Sequence, residues 1–121
     1  LCPEATGKAS QFGTVDELVR LSHETGCGMC IDFAHVYARN VGVIDYDDVC
    51  AKLKKVKVLT GHFAGIHYGP KGERNHELTP PERAKELLLY MKKYKLSLRI
   101  INESPDPMND SVMMQKIWKG L

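Results

Sequence analysis

The chain has 121 residues, of which 43% are hydrophobic and 26% charged, and a formal net charge of +2. That length suits one ordinary domain, and the balance is that of a soluble globular protein rather than a disordered or fibrous one. The charge is too small to argue for nucleic acid by itself, and no apolar run approaches the roughly 18 residues that span a bilayer.

The start lacks the basic-then-apolar pattern of a secretory leader, so a cytoplasmic location without a membrane partner is expected. The opening Leu1-Cys2-Pro3-Glu4, with no initiator methionine, reads as a trimmed chain or a piece of a longer one.

In chain order, Leu1 to Ala5 is expected to be the tail of a first strand. Thr14-Val15-Asp16-Glu17 is a capping box, in which the Thr hydroxyl and the Glu carboxylate serve free amides of a first helical turn. Val15, Leu18, Val19 and Ser22 follow helical spacing, and Gly26 stops the helix. Cys27 to Phe33 is short and apolar, as a parallel strand buried on both faces should be.

Asp45 begins a second helix to about Lys55, with Val49, Cys50 and Leu53 on one face. Val56 to Phe63 is the next strand. Thr79-Pro80-Pro81-Glu82 is read as another capping box, its prolines placed where a first turn tolerates them. Ala84, Leu87, Leu88 and Met91 form the stripe of that helix. Leu96 to Glu103 is a further strand, and a last helix from about Asp110 carries Val112, Met113, Ile117 and Trp118.

Cys27 and Cys30 are spaced Cys-x-x-Cys, yet positions three apart on a strand point to opposite faces. All four cysteines are therefore expected to be reduced and mostly buried. The lysine runs at Lys52, Lys54, Lys55, Lys57 and at Lys92, Lys93, Lys95 fall at helix ends, where solvated cations suit the helix dipole. His23, at the C-terminal end of its helix, is expected at the surface.

Strands alternating with helices of this length imply right-handed βαβ units and a parallel sheet. Gly65 to Thr79 remains as a long connection, and loops that long are usually functional or disordered. In parallel α/β folds, ligands and catalysts lie beyond the carboxyl ends of the strands. The expected ends here carry Glu4, Asp32 with His35 three residues on, His62 and Glu103.

Carboxylates gathered at one rim repel one another unless something compensates them. A divalent cation removes that cost, and carboxylate oxygen with imidazole nitrogen suits zinc or manganese. The long connection adds Glu73 and His76 as further candidate ligands, with His67 nearby. Lys71 and Arg74 could meet a phosphate, and Gly65, Gly69 and Gly72 would let the backbone fold back.

Pro3-Glu4-Ala5-Thr6-Gly7-Lys8, Cys30-Ile31-Asp32-Phe33-Ala34-His35, Gly61-His62-Phe63, Gly72-Glu73-Arg74-Asn75-His76 and Asn102-Glu103-Ser104-Pro105 together resemble endonuclease IV in order and spacing. That family comprises zinc-dependent apurinic/apyrimidinic endonucleases within the xylose-isomerase-like barrels. The resemblance covers essentially the whole chain but only the second half of the family's barrel. It implies the C-terminal half, strands five to eight, of a (β/α)8 TIM barrel as a single partial-barrel domain.

The resemblance also implies a trinuclear zinc centre that hydrolyses the phosphodiester 5′ to an abasic site in DNA. Glu4 would bridge the first and second zinc ions, and Asp32, His62 and Glu103 would complete the second. His35 would bind the third, with His76 and Glu73. Glu103 would lie near the attacking hydroxide and, with Glu4, form the catalytic pair.

Glu73 and His76 are separated by two residues where the family has one, and the two histidines that hold the family's first zinc lie in its N-terminal half. Half a barrel exposes two sheet edges and an apolar face, so pairing with the missing half or with a second copy is expected. The alternative readings are a sugar isomerase or epimerase with a single divalent metal on the same barrel, and a fragment that folds without chemistry.

Overall fold

The computed structural model describes residues 1–121. Local signals place the first helix as expected. In α1 (Val15–Thr25), the Glu17 amide donates to the Thr14 hydroxyl at 3.1 Å, and the Glu17 carboxylate accepts from the Thr14 amide at 3.0 Å. Gly26 closes the helix in the left-handed conformation, at φ 77°.

Strand β1 (Met29–Asp32) is buried along its length and runs straight into α2 (Phe33–Arg39), a helix the sequence reading did not anticipate. The Asp32 carboxylate caps it by accepting from the His35 amide at 2.9 Å. Asp45 caps α3 (Tyr46–Leu53) as expected. β2 (Leu59–Phe63) follows, then an antiparallel hairpin of β3 (Gly65–Gly69) and β4 (Gly72–Glu77). α4 (Pro81–Lys93), β5 (Ile100–Asn102) and α5 (Pro107–Lys119) complete the chain.

The half-barrel expectation does not hold. The parallel sheet has three strands, ordered β1-β2-β5, and the two strands of the hairpin form a separate sheet. The expected first strand is a single parallel bridge, Glu4 with Cys30. The physical reason lies in the length of the paired runs. β1, β2 and β5 keep four, five and three residues, and within the stretch 65–79, assigned to one connection, residues 65–77 pair with each other as an antiparallel hairpin instead of extending the parallel sheet.

Two capping assignments also change. Pro80, not Thr79, is the N-cap of α4, with no side-chain cap bond. Thr79 is buried and its groups go elsewhere: its amide donates to Asp110 Oδ2 at 2.8 Å, and its hydroxyl accepts from the Asn102 amide at 2.9 Å. Asp106 caps α5, so that helix starts earlier than Asp110. All four cysteines are free, but Cys2 is exposed and Cys27 half-buried; only Cys30 and Cys50 lie inside.

The core gathers Leu18, Met29, Ile31, Val49, Cys50, Leu53, Phe63, Leu87 and Met114 from the sheet and from α1, α3, α4 and α5. Met29 and Ile31 belong to it, so the alternating Cys30 and Asp32 face the other side of β1. A smaller cluster of Ala34, Ala38 and Ile66, flanked by Tyr37 and Tyr68, fastens the hairpin to α2. No helix is long and apolar enough to cross a membrane.

Candidate metal centre

Backbone pairing decides where the donors stand. The Cys30 amide donates to the Pro3 carbonyl at 2.8 Å and the Ala5 amide to the Cys30 carbonyl at 2.9 Å, which pins Glu4 beside β1. Register sets Asp32 against His62. The Glu103 amide donates to the Phe63 carbonyl at 3.0 Å, bringing that carboxylate to the same rim.

One donor atom each from Glu4, Asp32, His62 and Glu103 lies within 4.8 Å of the others. His62 Nδ1 stands 2.9 Å from Glu103 Oε1, 3.0 Å from Glu4 Oε1 and 3.7 Å from Asp32 Oδ2. Asp32, His35 and His76 form a second group of the same compactness. The His35 and His76 rings stack with centroids 5.6 Å apart, and His35 Nε2 meets Glu73 Oε2 at 3.1 Å. The two groups share Asp32.

The hairpin delivers Glu73 and His76 because residues 7–9 hold it. The Glu73 amide donates to the Gly7 carbonyl at 2.9 Å and the Ala9 amide to the Lys71 carbonyl at 3.1 Å. Gly72, at φ 106°, sits so close that a side chain there would overlap the Gly7 carbonyl. On α2, His35 Nδ1 is 2.9 Å from the Ala5 carbonyl, which orients the ring.

Electrostatics set this rim apart. Glu4, Asp32, Glu73 and Glu103 share two imidazoles, and none of them forms an ion pair with a lysine or arginine. Burial pushes the Asp32 carboxyl up to about 7, against the pull of His35 and its amide. Burial disfavours the His35 imidazolium, but Asp32, the Ala5 carbonyl, Glu73 and Glu4 outweigh that and raise it overall. Burial also pushes the Cys30 thiol up to about 11.

The donors fit a divalent cation on this chemistry: clustered oxygen and imidazole ligands, one carboxylate deeply buried, and no fixed cation to balance them. Glu4, Asp32, His62 and Glu103 would hold one ion. Asp32, His35, His76 and Glu73 would hold another.

All seven residues expected as ligands are thus brought together. Lys71, at the hairpin turn, and Arg74, folded over Gly69, are exposed. His67 is exposed on β3 and His23 on α1, both outside the cluster. The sequence reading missed Ala5, whose carbonyl orients His35, and Gly7, which backs Glu73. Gly7 gave a faint signal, a glycine just after the strand-end Glu4; a backbone carbonyl gives none.

Fold and rim together define a small α/β protein with a candidate metal centre beyond the carboxyl ends of its parallel strands. The chain is similar to an uncharacterized protein of Methanocaldococcus jannaschii, 38% identical over 135 aligned residues, in an alignment covering 100% of this chain and 49% of that protein. The chain therefore spans about half the length of this curated relative. No family model matches it, and no solved structure matches it.

Proposed function

We propose that this chain carries the metal centre of a divalent-metal-dependent phosphodiesterase of the endonuclease IV type, acting at abasic sites in DNA. The observation that carries the reading is Asp32, one buried carboxylate common to two donor groups. Paired cation sites of that kind clamp both the attacking and the leaving oxygen of an in-line displacement at phosphorus. A sugar isomerase with a single metal needs only Glu4, Asp32, His62 and Glu103, and leaves His35, Glu73 and His76 without a task.

Zinc bound at such a centre lowers the pKa of water and offsets charge on the phosphoryl oxygens, and manganese suits the same donors. The chain's own residues do the rest. Glu4 and Glu103, with 40% and 36% of their side chains exposed, are the ligands open to an arriving substrate. Glu103 is placed to orient the attacking water, and Asp32 and the Ala5 carbonyl hold His35 in one orientation. Exposed Lys71 and Arg74 offer positive charge to the DNA backbone.

The test is cleavage of an abasic duplex by the zinc-loaded chain. Loss of cleavage with chelator, recovery with zinc, and loss in Asp32→Asn are expected. An intact duplex alongside turnover of any member of a ketose panel would replace the nuclease with the isomerase. An intact duplex and no turnover, with less than about one metal per chain, would leave a fold without this chemistry.

A further inference from the structure

The face of the sheet that carries the rim holds a donor which the proposed hydrolysis leaves unused. Cys30 pairs with Thr60 across β1 and β2 and is bridged to Glu4 on its other side, so Glu4, Cys30 and Thr60 form one row across the strands. Asp32 and His62 form the next row on that face, toward the rim. Two residues of strand separate the rows, roughly 7 Å.

The Cys30 sulfur lies within 4.8 Å of a Glu4 oxygen and a His62 nitrogen. The residue is 6% exposed and forms no disulfide. Glu4 and His62 therefore belong to two donor groups: an oxygen-rich one above, with Asp32 and Glu103, and a sulfur-bearing one below.

We infer that Glu4, Cys30 and His62 form a separate seat for a soft, thiophilic divalent cation, in competition with the oxygen-rich seat at the rim. This rests on the proposed metal centre, from which it borrows two ligands. Thiolate selects soft cations while carboxylate suits manganese. On binding, the sulfur lone pair goes to the cation and the thiol proton to solvent, with no change of oxidation state. Because Glu4 and His62 serve both seats, a cation held on Cys30 draws them away from Asp32 and Glu103.

Manganese and cadmium are the probes. The metal-free chain is loaded with manganese, read by electron paramagnetic resonance, and titrated with cadmium. Cadmium is expected to displace manganese and to bring up the ultraviolet thiolate-to-cadmium absorption. In Cys30→Ser that absorption should vanish and about tenfold more cadmium should be needed, with manganese affinity unchanged, a ligand's loss costing at least what an outer-shell loss does.

A Cys2→Ser/Cys27→Ser/Cys50→Ala variant should keep the absorption, which ties it to Cys30 without altering that thiol, and the Cys2→Ser/Cys27→Ser double variant should keep it too. If Cys30→Ser fails to fold, Cys30→Ala and these two variants carry the test. Displacement of manganese without a thiolate absorption, or in Cys30→Ser at unchanged cadmium, would overturn the soft seat alone. Failure of manganese to bind while the absorption still appears would overturn the rim centre instead, and no binding of either metal would overturn both.

Discussion

Replacing Asp32 by asparagine is expected to stabilise the chelator-treated protein at about pH 8 while removing its response to metal. The Asp32 residue is 1% exposed, and burial raises its carboxyl from 3.8 to about 7. Between those two values the folded chain therefore holds a proton that the unfolded chain has lost. Stability on this account is full below 3.8 and falls as pH rises through the folded value.

At about 1.4 kcal/mol for each tenfold change in proton affinity, Asp32 acting alone loses about 4 kcal/mol over that window. His35 moves in the same direction. Its raised value means stability present below 6.5 and lost as pH climbs through the folded one. Because the two titrations share one carboxylate, the wild-type loss from about pH 5 to about pH 8 is put at about 2–4 kcal/mol.

Asparagine keeps an oxygen for the His35 amide and carries no charge to desolvate, so its loss should be smaller by about 2 kcal/mol. Urea unfolding followed by circular dichroism, in chelator at both pH values, measures this. Added manganese should then stabilise the wild type, through binding to the folded state, and leave the variant unmoved. Parallel pH profiles for the two proteins, or a less stable variant at about pH 8, would refute the reasoning.

Gly72→Ala combines a positive φ of 106° with overlap onto the Gly7 carbonyl, so it should cost more than about 1 kcal/mol and loosen the hairpin. Metal analysis should then show loss of the ion assigned to Glu73 and His76, while the Glu4 group keeps its own. Leu87 is fully buried in the core beneath α4, and Leu87→Ala should destabilise by about 2–5 kcal/mol in urea unfolding; a change under about 1 kcal/mol would contradict the packing described. Iodoacetamide should label half-buried Cys27 in the native protein and spare Cys30 and Cys50, whose thiols burial pushes up to about 11 each; mass spectrometry of the labelled peptides reads the outcome.

The half-barrel was misread because alternating apolar strands and amphipathic helices announce βαβ units without saying how many strands close, or around what. Strand number depends on hydrogen bonds between residues far apart, such as Asp32 with His62 and Phe63 with Asn102. The antiparallel pairing of residues 65–77 escaped notice because His67, Tyr68, Glu73 and Asn75 look like loop residues until they meet across the hairpin. Thr79 misled for a related reason: its capping pattern was present, but Asp110 and Asn102 took its groups first.

By itself the sequence determined what nearest neighbours decide. The Thr14 capping box, the Asp45 cap, the Gly26 stop and the apolar stripes all rest on interactions a few residues apart, and Glu4, Asp32, His35, His62, Glu73, His76 and Glu103 stood out as candidate donors by residue type and position. Tertiary structure alone decided that Asp32 is shared between two groups, that the Ala5 carbonyl orients His35, and that Cys30 lies one row beneath the rim. Those relations come from strand register and the docking of the hairpin, which segments up to 66 residues apart along the chain, as Gly7 and Glu73 are, settle only by packing against one another.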